Sequence, residues 1–358
     1  MSKQTIPVID VSPLLQGKQI IVVDDPGVKE CVQSIHDACK HIGFFYIKCH
    51  GVDLSLISAL EQEAEVFFKQ SHGEKMKIAM KKSGLHWKGF FPVGDELTSG
   101  KPDNKEGIYF GEEYAVDSAP VRRGWAMHGP NQFPEPAGRW RALVLEYLDQ
   151  LTKLGLKLMA GIALSLGLAA DFFETRFCNP RPFTPFRIFR YPKGSGNMGV
   201  GRHTDYGVLT ILKQDQVGGL EVELRDGSWL PAPPIEGTFV VNIGDMLQLW
   251  TKNYFVATPH RVRASLGRDR MSMPFFFDPA FNTSIAPMKV TSDFLAENND
   301  HVSLRNAAGE VEFRANEADL KSVRYGDYIT HKVSKVFPDL FKESHIVDTL
   351  NKMSQSKL

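Results

Sequence analysis

The sequence offers little from which to build a disulfide scaffold. Its 358 residues hold four cysteines, Cys31, Cys39, Cys49 and Cys178, and none of them forms a C-x-x-C pair. A chain of this length does not depend on such staples, and buried free thiols in a reducing compartment are expected. Charge of one sign is not in excess either. Lys plus Arg and Asp plus Glu both number 42, so the electrostatic signature of a nucleic-acid partner or an anionic membrane is missing. The most apolar stretch, Leu151 to Ala170, is interrupted by Lys153 and Lys157, which makes it unsuited to spanning a bilayer. The N-terminus, Met1-Ser-Lys-Gln-Thr-Ile-Pro-Val-Ile-Asp10, lacks the apolar core of a signal peptide. Internal repeats and low-complexity tracts are absent. The expectation is a cytoplasmic globular protein acting on a small molecule, with one large domain or two small ones. One feature modifies the location. Ser356-Lys357-Leu358 has the form of a peroxisomal address, so a peroxisomal location, with the import receptor as partner, follows if the natural chain ends there.

What is present is patterned hydrophobicity. Val28, Cys31, Val32, Ile35 and Cys39 share one face of a helix expected over Gly27 to His41, and Ile57, Leu60, Ala64, Phe67 and Phe68 do so over Leu54 to Gln70. Ile6 to Val11 and Gly43 to Lys48 have the composition of strands. Residues 83–137 are rich in Gly and Pro and carry Trp87 and Trp125. So long an irregular stretch inside a domain is usually functional. Arg139 to Leu168 gives the strongest helical stripe, through Trp140, Leu143, Val144, Tyr147, Leu148, Leu151, Leu154 and Leu158. Beyond it the character changes. Short apolar segments at Phe186–Tyr191, Val208–Gln214, Leu220–Leu224, Phe239–Ile243 and Ser272–Phe277 are separated by Gly, Pro and Asp, the pattern of a β-sandwich or jelly roll. A last helix is expected over Asp327 to Phe337.

The chemistry resides in that second half. His203 and Asp205 stand two apart in Gly201-Arg-His-Thr-Asp-Tyr-Gly207, so in a strand they point to one side. His260 supplies a third donor. Two imidazoles and one carboxylate leave positions open on an Fe(II) ion. Ten residues on, Arg270 and Ser272 are again two apart. A turn at Leu266-Gly-Arg-Asp269 would form a hairpin bringing them beside His260. A guanidinium fork with a hydroxyl is suited to holding a carboxylate at a fixed distance from the metal.

With these residues in this order, the sequence resembles the 2-oxoglutarate/Fe(II)-dependent dioxygenases of the isopenicillin N synthase-like superfamily. Ile6-Pro-Val-Ile-Asp10, Gly43-Phe-Phe45, His50-Gly-Val52, Val241-Asn-Ile-Gly-Asp245 and Phe275-Phe-Phe-Asp-Pro279 agree with it, and the likeness runs from about residue 5 to 340. It implies an α+β fold: a double-stranded β-helix (jelly-roll) core, an N-terminal helical region and a long backing helix. Residues 1–138 would form the N-terminal region packed on the core, 139–345 the oxygenase core, and 346–358 a flexible tail. It further implies Fe(II) on His203, Asp205 and His260, 2-oxoglutarate and O2 as co-substrates, and ascorbate as a stimulant. Arg270 and Ser272 would bind the far carboxylate of 2-oxoglutarate, with Arg187 and Tyr191 as further candidates. The reaction would oxidise an unactivated C–H bond by hydroxylation, desaturation or oxidative cyclisation in specialised metabolism, releasing succinate and CO2.

Substrate-pocket candidates are Tyr206, Phe276, Glu106, Tyr109 and Arg190. Glu106 enters through Gly100-Lys-Pro-Asp-x-x-Glu106, which resembles a segment of bacterial ethylene-forming enzymes. Arg190, in Phe189-Arg-Tyr-Pro192, stands where the family often has a tyrosine, and the stretch is closer to isopenicillin N synthase. This favours the alternative of an Fe(II) oxidase of the same fold that needs no 2-oxoglutarate, like that enzyme or aminocyclopropanecarboxylate oxidase. A non-catalytic sensor and a zinc hydrolase are further rivals. The first has no need of the full residue set, and the second has no use for the Arg-x-Ser pair.

Overall fold

A computed structural model describes residues 5–16, 21, 23–98, 100–194, 198–263, 265, 267–288, 302–305, 311–315 and 320–338. The C-terminal Ser-Lys-Leu and the expected tail over 346–358 lie outside these residues. Two facing sheets form the core. The strands are β1 (Val8–Asp10), β2 (Phe44–Lys48), β3 (Gly89–Phe91), β4 (Glu106–Phe110), β5 (Phe186–Tyr191), β6 (Met198–His203), β7 (Leu209–Gln214), β8 (Leu220–Glu223), β9 (Trp229–Pro231), β10 (Phe239–Ile243), β11 (His260–Arg263) and β12 (Arg270–Phe277). An eight-stranded sheet runs β1-β2-β10-β7-β12-β5-β4-β3, and a four-stranded sheet runs β6-β11-β8-β9. This is the double-stranded β-helix that the family resemblance implies, and it fits the jelly-roll pattern of short segments.

The larger sheet is covered on both faces. All five residues of β10 are buried, as are four of five in β2, and such strands read as continuous apolar runs rather than alternating ones. The backing helix, Gly138–Ser165, lays Val144, Tyr147, Leu151, Leu154 and Leu158 into the core. It comes close enough to β12 that a Cβ on Gly155 would lie 2.3 Å from the ring of Phe277. The helices Pro26–His41 and Leu54–Phe68 pack against it and are capped by Asp25 and Asp53, which accept from backbone N–H groups of their first turns.

Three sequence expectations change. Residues 83–137 contain the strands β3 and β4, which extend the large sheet beyond β5. They are short, and Glu106 at the start of β4 breaks the apolar pattern that would reveal a strand. The N-terminal region is thus more than a layer on the core, since β1 to β4 are half of the large sheet. The hairpin between His260 and Arg270 does not form. The chain leaves the small sheet after β11 and enters the large one at β12, which pairs with β5 and β7. Arg270 therefore faces the metal-binding strands from the opposite sheet. The third change concerns the thiols: Cys31, Cys39 and Cys178 are buried and free, whereas Cys49 is free and exposed.

Candidate active site

The site lies between the two sheets. His203 closes β6 and His260 opens β11, and the two are directly paired across the ladder, with ring centroids 4.2 Å apart. Asp205 lies just past the end of β6. Donor atoms of the three residues all lie within 4.8 Å of one another. Nε2 of each imidazole is 3.8 Å from Oδ1 of Asp205, so the three donors would converge on a single divalent ion.

Neighbouring groups aim these donors. Nδ1 of His203 is 2.8 Å from the Gly201 carbonyl, and Nδ1 of His260 is 3.2 Å from that of Thr258. A carbonyl only accepts, so Nδ1 carries the proton in each ring and the Nε2 lone pair is left for a metal. Asp205 Oδ2 accepts from Asn242 Nδ2 at 2.7 Å and from the Thr210 hydroxyl, which turns Oδ1 toward the imidazoles. Burial, and then the neighbouring His260, push His203 down to about 3. Burial pushes Asp205 up, but His260, His203, Asn242 and Thr210 outweigh it and hold its carboxyl below the usual range. A neutral imidazole beside a carboxylate is the protonation state a divalent metal requires.

From the large sheet, Arg270 reaches the same cavity. It is 1% exposed. Its Nε donates to the Gly218 carbonyl at 2.7 Å and Nη2 to Gln214 Oε1 at 3.4 Å, while Nη1 is buried with no hydrogen-bond partner among the described residues. A buried guanidinium without an anion is costly, so the site is built to receive one. The Tyr191 ring lies 4.8 Å below the guanidinium, and the Ser272 hydroxyl is 3.4 Å from that of Tyr191. The three form one polar end of the cavity.

The opposite end corrects the sequence reading. Glu106 and Arg190 are opposed across β4 and β5 on the face away from the cavity. Glu106 accepts from Lys75 Nζ and from Arg190 Nη1, each at 2.7 Å, and Arg190 also pairs with Asp269. Both belong to an ion network that is buried at Lys75 and Glu106 and reaches the surface at Asp269, and neither lines the pocket. Tyr109 and Arg187, opposed three residues along the same strands, face the other way and line the cavity. Arg187 is four residues from Tyr191, roughly 13 Å along an extended strand, so it does not share the Arg270 end.

The acid that does face the cavity is Glu96. It is buried, accepts from the Tyr109 hydroxyl at 2.8 Å, and lies 3.8 Å from Arg187 Nη1. Lys105 Nζ is 3.1 Å from Glu96 Oε2 but is not aligned for a hydrogen bond, so this oxygen keeps acceptor capacity. Lys105 is itself held by Asp103 at 2.7 Å and Thr98 at 3.2 Å. The Arg187 guanidinium stacks between Tyr109 and Phe276, with its Nε unpartnered among the described residues. Tyr206 and Phe276 line the cavity, as expected from sequence. Its apolar wall is one that sequence reasoning did not identify: Ile329, Val333, Val336 and Phe337, from and just after the last helix, Tyr325–Val336. The cavity volume is about 110 Å³.

Sequence models of two families match the chain. One, described as non-haem dioxygenase in morphine synthesis N-terminal, covers residues 6–136, and one for the 2OG-Fe(II) oxygenase superfamily covers 182–279. A Dictyostelium discoideum protein named as an iron/ascorbate oxidoreductase is 41% identical, over 94% of this chain and 96% of its own. A homoarginine-6-hydroxylase of Glycine max is 35% identical over 94% and 98%. The crystal structure of a 2OG-Fe(II) oxygenase family protein from Caulobacter crescentus superposes with a TM-score of 0.69 at 25% identity, over 89% of this chain and 97% of that one.

Proposed function

The chain belongs to the 2-oxoglutarate- and Fe(II)-dependent oxygenases of the isopenicillin N synthase-like superfamily, and we propose that its own reaction is the hydroxylation of a cationic amino acid of the homoarginine type. The observation that carries this reading is the polarity of the cavity. The buried guanidinium of Arg270, whose Nη1 has no hydrogen-bond partner among the described residues, stands at one end and an acid–base pair, Glu96 and Arg187, at the other, with the three metal donors lining the same cavity. The donor set, two neutral imidazole nitrogens and one carboxylate oxygen, fits Fe(II). When bound, the metal with 2-oxoglutarate and O2 supplies an oxidant able to break an unactivated C–H bond, releasing succinate and CO2.

The protein's part is positioning and exclusion of water. Arg270, with Ser272 and Tyr191, binds the far carboxylate of 2-oxoglutarate and so fixes where its oxo-acid end meets the metal. Glu96 and Arg187, 3.8 Å apart, offer an acceptor and a donor side by side, the complement of an ammonium and a carboxylate on one carbon. Tyr109 fixes the Glu96 rotamer, and Phe276 and Tyr206 shape the space between. The name of the Glycine max relative supplies the cationic side chain in this reading.

Anaerobic addition of 2-oxoglutarate to the Fe(II)-loaded protein tests the first half. A weak visible charge-transfer band, lost in His203→Ala, is expected, and its absence with iron bound moves the protein to the oxidases that need no 2-oxoglutarate. Succinate release with homoarginine, arginine and no amino acid tests the second half. Glu96→Gln should raise the KM for the amino acid by roughly tenfold or more, the size of a lost charge-assisted hydrogen bond, with the band intact. Equal succinate release with and without every amino acid tried would remove this substrate class while leaving the oxygenase assignment in place.

A further inference from the structure

The cavity, about 110 Å³, is small beside the roughly 300–1,000 Å³ of ordinary small-molecule sites, and the last helix, Tyr325–Val336, supplies one of its walls through Ile329, Val333 and Val336. That helix is seated along its buried face and at both ends, and the Tyr325 and Gly326 N–H groups donate to the Thr283 and Phe281 carbonyls, each at 2.7 Å. At one end the Leu97 N–H donates to the Val336 carbonyl at 3.0 Å. In the middle, Lys332 Nζ lies 5.2 Å above the ring of Tyr206. At the other end the fully buried Tyr325 donates its hydroxyl to Asp278 Oδ2 at 2.6 Å.

Asp278 follows β12 and is 3% exposed. Its other oxygen accepts from the Val208 N–H at 3.3 Å, and its carboxylate lies so tightly on Gly207 that a Cβ there would be 1.5 Å from Oδ1. Residues 205–208 are also held from the far side. The N–H groups of Gly244, Asp245 and Met246 donate to the carbonyls of Val208, Asp205 and Gly207. The segment that carries the carboxylate ligand is therefore clamped between the helix Asp245–Trp250 and Asp278, and Asp278 passes that contact on to Tyr325.

We propose that Asp278 and Tyr325 are positioning residues, whose hydrogen bond registers the last helix against the Asp205–Val208 segment and so makes closure of the pocket wall dependent on an ordered metal-binding loop. The inference rests on the oxygenase reading. It differs from a purely structural role in what it couples: loosening the hydroxyl should be felt in the loop as well as in the helix, and as wasted co-substrate rather than weakened metal binding.

The test is Tyr325→Phe in the full-length Fe(II) protein, with Asp278→Asn as the second variant. The charge-transfer band with 2-oxoglutarate should persist in Tyr325→Phe. Hydrogen exchange should rise in residues 325–336 and also in 203–208. Succinate formed without amino acid, with ascorbate as the reductant that completes the uncoupled cycle to water, should rise roughly two- to tenfold, the scale of one lost hydrogen bond. The double variant should show no more than the larger single effect, since the two residues act through one bond. Faster exchange in the helix alone, or unchanged uncoupled turnover with the band present, would overturn the proposal. Loss of the band in the wild-type protein would instead remove the oxygenase reading on which it rests.

Discussion

Arg270 shows how a single side chain can carry information that its neighbours cannot. It is among the largest fully buried side chains, its Nε and Nη2 are committed to Gly218 and Gln214, and its Nη1 meets no acceptor among the described residues. An anion placed there replaces an unmet desolvation cost with a charge-assisted hydrogen bond worth about 1.5–3 kcal/mol. Arg270→Leu should weaken 2-oxoglutarate about tenfold to a hundredfold in the anaerobic titration, with metal binding retained; unaltered affinity would locate the co-substrate elsewhere. Lys88 is a second case, outside the pocket. Burial pushes its ammonium down to about 7, and among the described residues its Nζ donates to the carbonyls of Glu112 and Gly129. The ordinary value is near 10.5, so between about 7 and 10.5 the unfolded chain binds more protons than the folded one, and stability rises with pH across that window. The thermal midpoint of the native protein should therefore gain on that of Lys88→Met between pH 7 and 9. A difference that shrinks over that range would show that the ammonium is not penalised by burial.

Among the elements, the backing helix depends on a residue it lacks. Gly155 sits where the helix meets β12, and a Cβ there would collide with the Phe277 ring at 2.3 Å. Gly155→Ala is a better helix former in isolation, yet overpacking at this contact should cost about 1–3 kcal/mol, read as a lower thermal midpoint. A midpoint at or above that of the native protein would mean that the ring yields freely. Most helices and strands of the core could be anticipated from their periodicity. Phe186–Tyr191 and Phe239–Ile243 have the expected bounds, whereas the backing helix, expected over Arg139 to Leu168, spans Gly138–Ser165. The strands β3 and β4 could not be, because three- and five-residue segments among Gly and Pro are stabilised by the sheet edge they join rather than by their own composition.

At the scale of the whole molecule, the three metal donors come from the rim of the small sheet and the anion site from the large one. Asp205 is in turn held by Thr210 and Asn242 of the large sheet, so metal binding draws on the packing of both sheets and should stabilise the fold globally. A divalent ion at a hundred times its dissociation constant should add about 2.7 kcal/mol, seen as a rise in thermal midpoint on anaerobic addition of Fe(II) and absent in His260→Ala. An equal rise in that variant would place the ion elsewhere. No helix among the described residues is long and apolar enough to cross a membrane.

The sequence by itself determined which residues are candidates for the chemistry. His203, Asp205, His260, Arg270 and Ser272 were legible because alternation within a strand fixes which neighbours share a face, and because the order of ligands and anchor is characteristic of the family. Only the tertiary structure decided what faces what. Glu106 and Tyr109 lie three residues apart on one short strand, and that odd spacing turns one into an ion network and the other into the pocket. Glu96, in an irregular segment, has no period to read. The crossing from β11 to β12 and the use of the last helix as a wall depend on which sheet each segment joins. Those pairings link residues far apart in sequence, so they are settled by packing of the whole chain and leave no mark in the local pattern.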